Sequence, residues 1–352
     1  MPELPEVETL RRLLGDHLAG RVIDRVEVRL PKIIRPPGGL PPEAVIGHRI
    51  LGLRRRAKIL IWELSDGLAV IFHLKLSGQL HFVDAAGDRS ATGGHPVPPF
   101  GAPLPHKATH VIFHFADGSR LFFTDIRQFG YVRFLTAEGV ADHLAAQAYG
   151  PEPLDPDFTW PVFERLMARR PKMYLKPLLL DQSFIAGLGN IYADESLHLA
   201  RLHPLRRAGD LTRLERRRLY EAIRAVLDRA VTEGIADFSD GAALDARGFP
   251  ASHGREGRPC HTCAEPIRRI RVGTRSTYFC PTCQQEERGA KISRSQSNVA
   301  AISSRRVRRE SDPVGNSVAP KAAEEVASYG RESRRGTGRA PGDTLREAQP
   351  SE

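Results

Sequence analysis

Apolar residues near the start of the chain recur with the spacing of a helix. One helical face is predicted by residues three and four positions apart: Val7, Leu10, Leu14 and Leu18. Pro5 suits the first turn of such a helix, and Gly20 suits its end. The chain therefore opens with a predicted amphipathic helix.

Short apolar or alternating runs follow, and they predict β-strands. The runs cover residues 22–30, 59–62, 70–77, 111–115, 121–123 and 131–134. Several short strands separated by turn signals are typical of a sandwich or barrel, which we expect over residues 1–145. Within this region, residues 84–106 hold four glycines and five prolines, a composition that predicts a mobile surface loop.

Beyond a proline-rich linker at residues 150–157, the pattern becomes helical. An apolar stretch over residues 178–186 predicts a helix that ends in a glycine turn. A later helix is predicted by an apolar stripe made of Leu219, Ile223, Val226, Leu227 and Ala230. Over residues 288–352 the apolar periodicity is lost, which predicts a disordered basic tail.

The chain is basic, and this narrows the classes of partner. Its 352 residues carry a formal net charge of +10, of which residues 289–352 supply only +4 through twelve basic and eight acidic residues. A basic folded part favours a polyanionic partner, either nucleic acid or an acidic membrane face. The sequence contains no run of ~18 apolar residues, so it predicts no membrane-spanning helix. The acidic N-terminus does not resemble a secretory signal, and four cysteines are too few for a disulfide scaffold, so we expect a cytoplasmic protein.

The cysteines form the most specific chemical motif. They stand as two Cys-x-x-Cys pairs with sixteen residues between them: Cys260, Cys263, Cys280 and Cys283. Such pairs bring four thiolates into the tetrahedron of a structural zinc site, which leaves no position for a catalytic water. Apolar residues on both sides of Gly273 predict a hairpin between the pairs. The sequence predicts a zinc ribbon, and redox or incidental cysteines are the lesser alternative.

Two weaker features carry candidate chemistry. The turn from Gly187 to Asn190 precedes a predicted helix, whose free N–H groups can bind a phosphate. Proline at position 2 favours removal of the initiator Met, and the amine of Pro2 can then form an imine with C1′ of a sugar, with Glu3 beside it as a proton donor. Taken alone, the turn is also an ordinary helix cap, and Pro2 is also a common second residue.

Seven segments, in the same order, resemble the bacterial formamidopyrimidine-DNA glycosylase family. They are Met1-Pro-Glu-Leu-Pro-Glu-Val-Glu-Thr9, Arg55-Arg-Ala-Lys58, His73-Leu-Lys-Leu-Ser-Gly78, Thr124-Asp-Ile-Arg-Gln-Phe-Gly130, Gly150-Pro-Glu-Pro-Leu154, residues 180–197 and Arg275-Ser-Thr-Tyr-Phe-Cys-Pro-Thr-Cys283. The resemblance spans about residues 1–287 and leaves the tail outside it. It implies a multidomain α+β protein with an N-terminal catalytic β-sandwich and leading helix (1–145), a DNA-binding helix–two-turn–helix domain (146–254) and a zinc ribbon (255–287). The disordered tail that composition predicts (288–352) follows these domains.

The resemblance implies a bifunctional base-excision repair enzyme with one structural zinc ion. Its partner would be double-stranded DNA that carries oxidised bases or abasic sites. Pro2 would displace the base from C1′ and form a Schiff base, with Glu3 as the proton donor at the sugar. Lys58 would contact phosphate and act as the acid in β-elimination. Arg275 would clamp a phosphate and donate a proton in δ-elimination.

Further residues are implied as DNA contacts. Arg127 would pair with the base opposite the lesion, and Phe129 would replace the lost stacking. Leu76 would also enter the gap, at a position where the family usually has Met. The remaining implied contacts are His106, Lys172, Lys176 and Asn190, of which His106 would replace a family histidine that is absent two residues before His110.

The sequence leaves several choices open. An endonuclease VIII-like enzyme would prefer oxidised pyrimidines. Leu4 and residues 127–129 favour purines, whereas the atypical stretch 234–243 weakens that preference. A non-catalytic DNA-binding protein would not need Pro2, Glu3 and Lys58. A membrane-surface protein is disfavoured because no amphipathic basic anchor is present. The basic cluster at residues 305–309 either adds DNA affinity or is a solvated run, and a monomer is the default expectation.

Overall fold

The computed structural model of the protein describes residues 2–34, 39–233 and 248–286. Its helices are α1 (Leu4–Leu18), α2 (Ala137–Ala146), α3 (Trp160–Ala168), α4 (Leu175–Leu180), α5 (Asn190–Leu199) and α6 (Arg213–Thr232). Its strands are β1 (Ile23–Val28), β2 (Ile50–Arg56), β3 (Ile59–Leu64), β4 (Leu68–His73), β5 (Gly78–Val83), β6 (Arg89–Gly94), β7 (Thr109–Phe115), β8 (Arg120–Asp125), β9 (Tyr131–Thr136), β10 (Arg268–Val272) and β11 (Arg275–Phe279). The stretch 234–243, the basic cluster at 305–309 and the predicted tail lie outside the described residues.

The N-terminal half contains two antiparallel sheets that pack face to face. One sheet has the strand order β1-β7-β8-β5-β6 and the other β2-β3-β4-β9. Their inner faces share one apolar core, in which the rings of Trp62 and Phe113 have centroids 4.9 Å apart. The expected β-sandwich is confirmed.

Helix α1 packs against β6 and β2 with its predicted apolar face. The four side chains of that face are at most 1% exposed: Val7, Leu10, Leu14 and Leu18. Burial of one such side chain stabilises the fold by about 1.5–3 kcal/mol. The leading helix, which carries the N-terminal residues, is therefore fixed firmly to the sandwich.

The other face of the four-stranded sheet is also covered. Ile59 and Ile61 point to this face and pack near Val140 of α2, whereas Leu60 and Trp62 point into the main core. Both faces of β3 are thus buried over residues 59–62, which explains why this run is continuously apolar instead of alternating.

Helices α3 to α6 enclose a separate apolar core, and the predicted stripe of α6 is buried in it. The hairpin β10–β11 turns at residues 273 and 274, as expected. Both parts belong to the same compact unit as the sandwich. The domain boundaries at 145 and 254 stay predictions. Within the described part of the chain, no helix has the length and apolar character needed to cross a membrane.

Three local predictions are wrong. The strand pattern of residues 70–77 ends at His73, because the backbone turns there from one sheet to the other, with the Gly78 N–H donating to the Leu74 carbonyl at 2.9 Å. The glycine- and proline-rich stretch 84–106 contains β6, in which a β-carbon on Gly93 would stand 2.8 Å from Leu10 Cδ1. The helix predicted over residues 178–186 ends at Leu180.

Candidate active site and zinc module

The N-terminus of α1 docks on the start of α5. The Leu4 N–H donates to the Gly187 carbonyl at 3.1 Å. The Glu3 carboxylate accepts the backbone N–H groups of Ile191 at 3.0 Å and Tyr192 at 3.4 Å. These donors belong to the first turn of α5, where free N–H groups attract negative charge. Glu3 is 1% exposed, so its carboxylate is held in a defined position beside Pro2.

Glu6 forms a buried acidic pair with Glu3. Its carboxylate accepts the Glu3 N–H at 2.7 Å and the Tyr192 hydroxyl at 2.7 Å. Burial, together with the negative charge of Glu3, raises the pKa of Glu6 to about 7. The Glu6 carboxyl group therefore holds a proton in part near neutral pH.

Lys58 lies in the turn between β2 and β3 and is only 9% exposed. Burial lowers the pKa of Lys58, and the negative charges of Glu3 and Glu6 offset this only in part. The positive charge of Arg275 acts in the same direction as burial. Lys58 is thus within electrostatic range of the acidic pair and of Arg275 on the zinc hairpin. A buried amine with a lowered pKa exchanges protons more readily at neutral pH.

Asn190 connects α5 to the zinc hairpin. Its side-chain Nδ2 donates to the Ser276 carbonyl at 2.9 Å, next to Arg275. Its Oδ1 is buried and has no hydrogen-bond partner among the described residues. Arg275 itself is exposed at the end of the hairpin. Hydrogen bonds therefore connect Glu3 through the glycine turn and Asn190 to the hairpin that carries Arg275.

The four cysteines converge as a metal site requires. All their Sγ atoms lie within 4.8 Å of one another. The Sγ–Sγ distance is 3.4 Å for Cys263–Cys280, 3.4 Å for Cys263–Cys283 and 4.0 Å for Cys260–Cys283. Zn–S bonds of about 2.3 Å in a tetrahedron put sulfurs roughly 3.8 Å apart. The cluster fits one structural zinc ion.

The zinc module is fastened to the helical core by buried side chains. Gln284 is 0% exposed; its Nε2 donates to the Leu202 carbonyl at 2.9 Å, and its Oε1 accepts the Cys280 N–H at 2.9 Å. The ring of His198 lies 3.4 Å from the Cys260 Sγ. Because of these contacts, the hairpin that carries Arg275 has a fixed position relative to α5.

Two adjacent loops present the predicted wedge. Phe129 is 48% exposed, and the Arg127 guanidinium lies 5.4 Å from its ring centroid. Leu76 is half-buried in the neighbouring loop. The buried Asp125 joins the loops, since it accepts the Ser77 hydroxyl and the Arg127 N–H. The three wedge side chains are thus presented from one rigid support.

The remaining predicted contacts fall in different environments. Lys172 is exposed at the surface. His106 is half-buried, its Nδ1 accepts the Ala108 N–H at 3.1 Å, and burial, helped by the positive charge of His110, lowers the pKa of His106 to about 4. His106 is therefore neutral at pH 7 and supplies no positive charge to a phosphate.

The prediction that Lys176 contacts DNA directly is wrong. Its side chain is 0% exposed, and its Nζ donates to Asp194 Oδ1 at 2.6 Å and to the Asn190 carbonyl at 2.8 Å. A buried lysine is tolerated only with a counterion, and Asp194 supplies it. Lys176 therefore holds the Asn190 backbone from the protein interior and does not face a ligand.

Sequence reasoning did not identify several buried carboxylates that organise the site. Asp125 holds the wedge loops, and Glu195 accepts the N–H groups of residues 251–253 at 2.6–2.9 Å. Glu152 accepts hydrogen bonds from the strand end that precedes Lys58. Each lies inside one of the quoted segments, but acidic residues are usually exposed, and only the burial of their neighbours reveals the role.

Comparisons with known proteins agree with this geometry. Residues 1–132 match the formamidopyrimidine-DNA glycosylase N-terminal domain, residues 149–240 match the formamidopyrimidine-DNA glycosylase H2TH domain, and residues 257–285 match a zinc finger found in FPG and IleRS. The formamidopyrimidine-DNA glycosylase of Heliobacterium modesticaldum is 42% identical over 293 residues, which cover 81% of this chain and 100% of the relative. That of Pelotomaculum thermopropionicum is 42% identical over 291 residues, covering 81% and 99%.

Solved structures extend the likeness to the fold. The Lactococcus lactis enzyme in complex with DNA that contains Fapy-dG has a TM-score of 0.69 and 31% identity, covering 81% of this chain and 100% of its own. The same enzyme with oxidised-pyrimidine DNA has a TM-score of 0.70 and 32% identity over the same shares. With all three family models matched in order, the chain belongs to the formamidopyrimidine-DNA glycosylase family.

Proposed function

We propose that the protein is a base-excision repair DNA glycosylase and abasic-site lyase that removes oxidised purines, among them formamidopyrimidines and 8-oxoguanine. The observation that carries this proposal is the buried Glu3 carboxylate, fixed by the first turn of α5 directly beside Pro2. A carboxyl group in that place can serve a reaction at the amine of residue 2. The named relatives support the substrate class.

Base removal begins once the initiator Met is cleaved and Pro2 is a free secondary amine. Its nitrogen lone pair attacks C1′, and the glycosidic bond to the damaged base breaks with its electron pair leaving on the base. The Pro2 nitrogen loses its N–H proton to the departing base, and Glu3 donates a proton to O4′ as the C1′–O4′ bond opens, which leaves an iminium between Pro2 and C1′. The neighbouring Glu6, with its pKa near 7, can return that proton.

Strand cleavage then follows from the iminium. Loss of a C2′ proton expels the 3′ phosphate by β-elimination, with Lys58 as the proton-transfer group and phosphate contact. A second elimination expels the 5′ phosphate, with Arg275 as the donor. A planar guanidinium on a metal-fixed hairpin suits the bidentate recognition of phosphate, and Asn190 lies beside it to hold the same backbone.

The damaged nucleotide must leave the stack before Pro2 can reach its sugar. Phe129 and Leu76 fill the gap, and Arg127 hydrogen-bonds the orphaned base. The stacking of Arg127 over Phe129 presents both groups together. The enzyme acts on duplex DNA as a monomer, in the bacterial cytoplasm and at the nucleoid.

Covalent trapping with borohydride on a panel of duplexes tests this function. The panel holds 8-oxoguanine opposite cytosine, an oxidised pyrimidine, an abasic site and an undamaged control. We expect trapping on 8-oxoguanine and on the abasic site. Trapping on the pyrimidine but not on 8-oxoguanine would favour an endonuclease VIII-like preference. The Lactococcus lactis enzyme has been solved with DNA that contains an oxidised pyrimidine, so this alternative is included in the panel. No adduct on any duplex, with the protein folded and zinc-loaded, would leave a non-catalytic DNA-binding protein.

A further inference from the structure

Glu152 makes an unusually complete set of contacts with the strand end that carries Lys58. Its Oε1 accepts the Ala57 N–H at 2.6 Å and the Arg56 Nη1 at 2.6 Å, and its Oε2 accepts the Arg55 Nη1 at 2.6 Å. The side chain of Glu152 is 7% exposed, as is that of Arg55. Buried and charge-assisted hydrogen bonds of this kind are stronger and more directional than those at a surface.

The turn that carries Lys58 needs external support. Residues 57 and 58 alone connect β2 to β3, and Ala57 has φ +53°, a left-handed conformation that a residue with a β-carbon adopts at an energetic cost. Glu152 fixes the N–H of Ala57, and Arg55 Nη1 donates to the Ala57 carbonyl at 2.9 Å. Both sides of the strained residue are thus held by one carboxylate and its counterion.

The same carboxylate belongs to a segment that is held from the opposite side. The Gly150 N–H donates to the Gln182 carbonyl at 2.8 Å, and the Ala186 N–H donates to the Pro151 carbonyl at 3.0 Å. A β-carbon on Gly150 would stand 2.6 Å from the Phe184 carbonyl oxygen. The segment around Glu152 therefore lies between the Lys58 turn and the turn that leads into α5.

A further ion pair extends the network to α1. Arg55 Nε donates to Glu8 Oε2 at 3.2 Å, and Glu8 lies on α1, whose N-cap residue is Glu3. Burial alone would raise the pKa of Glu152, but the positive charge of Arg55 and the hydrogen bonds of this network outweigh it, so the pKa lies below its usual value and the group is ionised. The ion pair of Glu152 and Arg55 thus connects the Lys58 turn, α1 and the segment that contacts the α5 turn.

We infer that Glu152 is a positioning residue for Lys58: it holds the turn of residues 57 and 58 in register with α1 and with the α5 turn, so that the Lys58 ammonium meets the sugar in the elimination step. This inference rests on the proposed function. It differs from a general stabilising role, because loss of Glu152 should slow strand scission after the iminium has formed.

The test uses the full-length, zinc-loaded protein on a duplex with a preformed abasic site. Three quantities are measured for each variant: the single-turnover rate of strand scission, the yield of borohydride-trapped complex, and the affinity for a duplex with an uncleavable abasic analogue. The variants are Glu152→Ala, Glu152→Gln, Lys58→Ala as the reference for lost proton transfer, and Glu63→Gln as the matched control. Glu63 pairs with Arg54 on the same hairpin, but 51% of its side chain is exposed.

Glu152→Ala should slow scission at least tenfold, while trapping and affinity stay within threefold of the wild type. Glu152→Gln should slow it less, because its amide oxygen can still accept the Ala57 N–H, and Glu63→Gln should match the wild type. Normal scission by Glu152→Ala, or a parallel loss in all three quantities, would overturn the inference. If Glu152→Ala does not fold, Glu152→Gln decides, and it must slow scission at least threefold. Normal scission by Lys58→Ala would instead contradict the role of Lys58 in the proposed function.

Discussion

Gly189 faces the carboxyl group of Glu3 so closely that a β-carbon at residue 189 would overlap it. The glycine is therefore required by the position of Glu3 and not by backbone conformation. Gly189→Ala should displace the Glu3 carboxylate from the N–H groups of α5 and slow excision of 8-oxoguanine at least tenfold, with DNA affinity within threefold. Single-turnover excision and a binding titration measure the two effects.

Gly101→Ala is the matched control for that substitution, since no atom of the described residues, apart from its chain neighbours, lies within 4 Å of the β-carbon that it adds. It should leave both excision and affinity unchanged. Normal excision by Gly189→Ala would show that the position of Glu3 has no influence on base removal.

The buried carboxyl of Glu6 predicts a specific pH dependence of stability. Its pKa rises from the usual 4.5 to about 7 through burial and the charge of Glu3, so between these values the folded state binds a proton that the unfolded chain has lost. Compared with Glu6→Gln, the free energy of unfolding of the wild type should fall as the pH rises through this window, by about 3 kcal/mol, and level off above it. Denaturant unfolding of both proteins from pH 4.5 to 8 gives the difference. Two parallel curves would contradict the raised pKa.

Loss of one zinc ligand should weaken DNA binding. Cys280→Ala removes a buried thiolate from the cluster, so the hairpin loses the support that places Arg275 beside Asn190. The zinc content should fall, and the affinity for the uncleavable abasic duplex should decrease at least tenfold. Thr262→Ala, which alters an exposed side chain between two of the cysteines, should retain zinc and affinity. Zinc loss with undiminished affinity would exclude the hairpin from the DNA-binding surface.

Phe129 should matter only where a base pair must be opened. Its ring is 48% exposed on a rigid support, which suits insertion into the stack. Phe129→Ala should slow excision of 8-oxoguanine from duplex DNA at least tenfold, but cleavage at an abasic site less than threefold, because no base needs eversion there. Leu51→Ala removes another exposed apolar side chain and should change neither rate. Equal losses on both substrates would argue against a wedge.

The elements that the sequence predicted correctly depend on local pattern. The apolar face of α1, the apolar stripe of α6 and the cysteine spacing can each be recognised within one short stretch of the sequence. The glycines of β6 were interpreted as a sign of mobility, whereas Gly93 is needed because Leu10 of a distant helix packs against it. That requirement comes from tertiary contact and leaves no local signal.

The candidate site shows the same division. Pro2, Glu3 and Lys58 could be proposed from segments that resemble a known family, but Lys176 was assigned to the surface although it is buried against Asp194. Lysine is normally exposed, so its burial follows only from the packing of α4 against α5. Glu152 escaped attention for the same reason, since its partners lie more than ninety residues away.

The proposed function requires that the amine of Pro2 form the covalent bond to the sugar. The most direct measurement is borohydride trapping on 8-oxoguanine duplex, followed by proteolysis and mass spectrometry of the cross-linked peptide. We expect a single adduct on the N-terminal peptide, on the nitrogen of residue 2, with Glu3 adjacent and unmodified. An adduct on Lys58 or another side chain, with the N-terminal peptide unmodified, would contradict it.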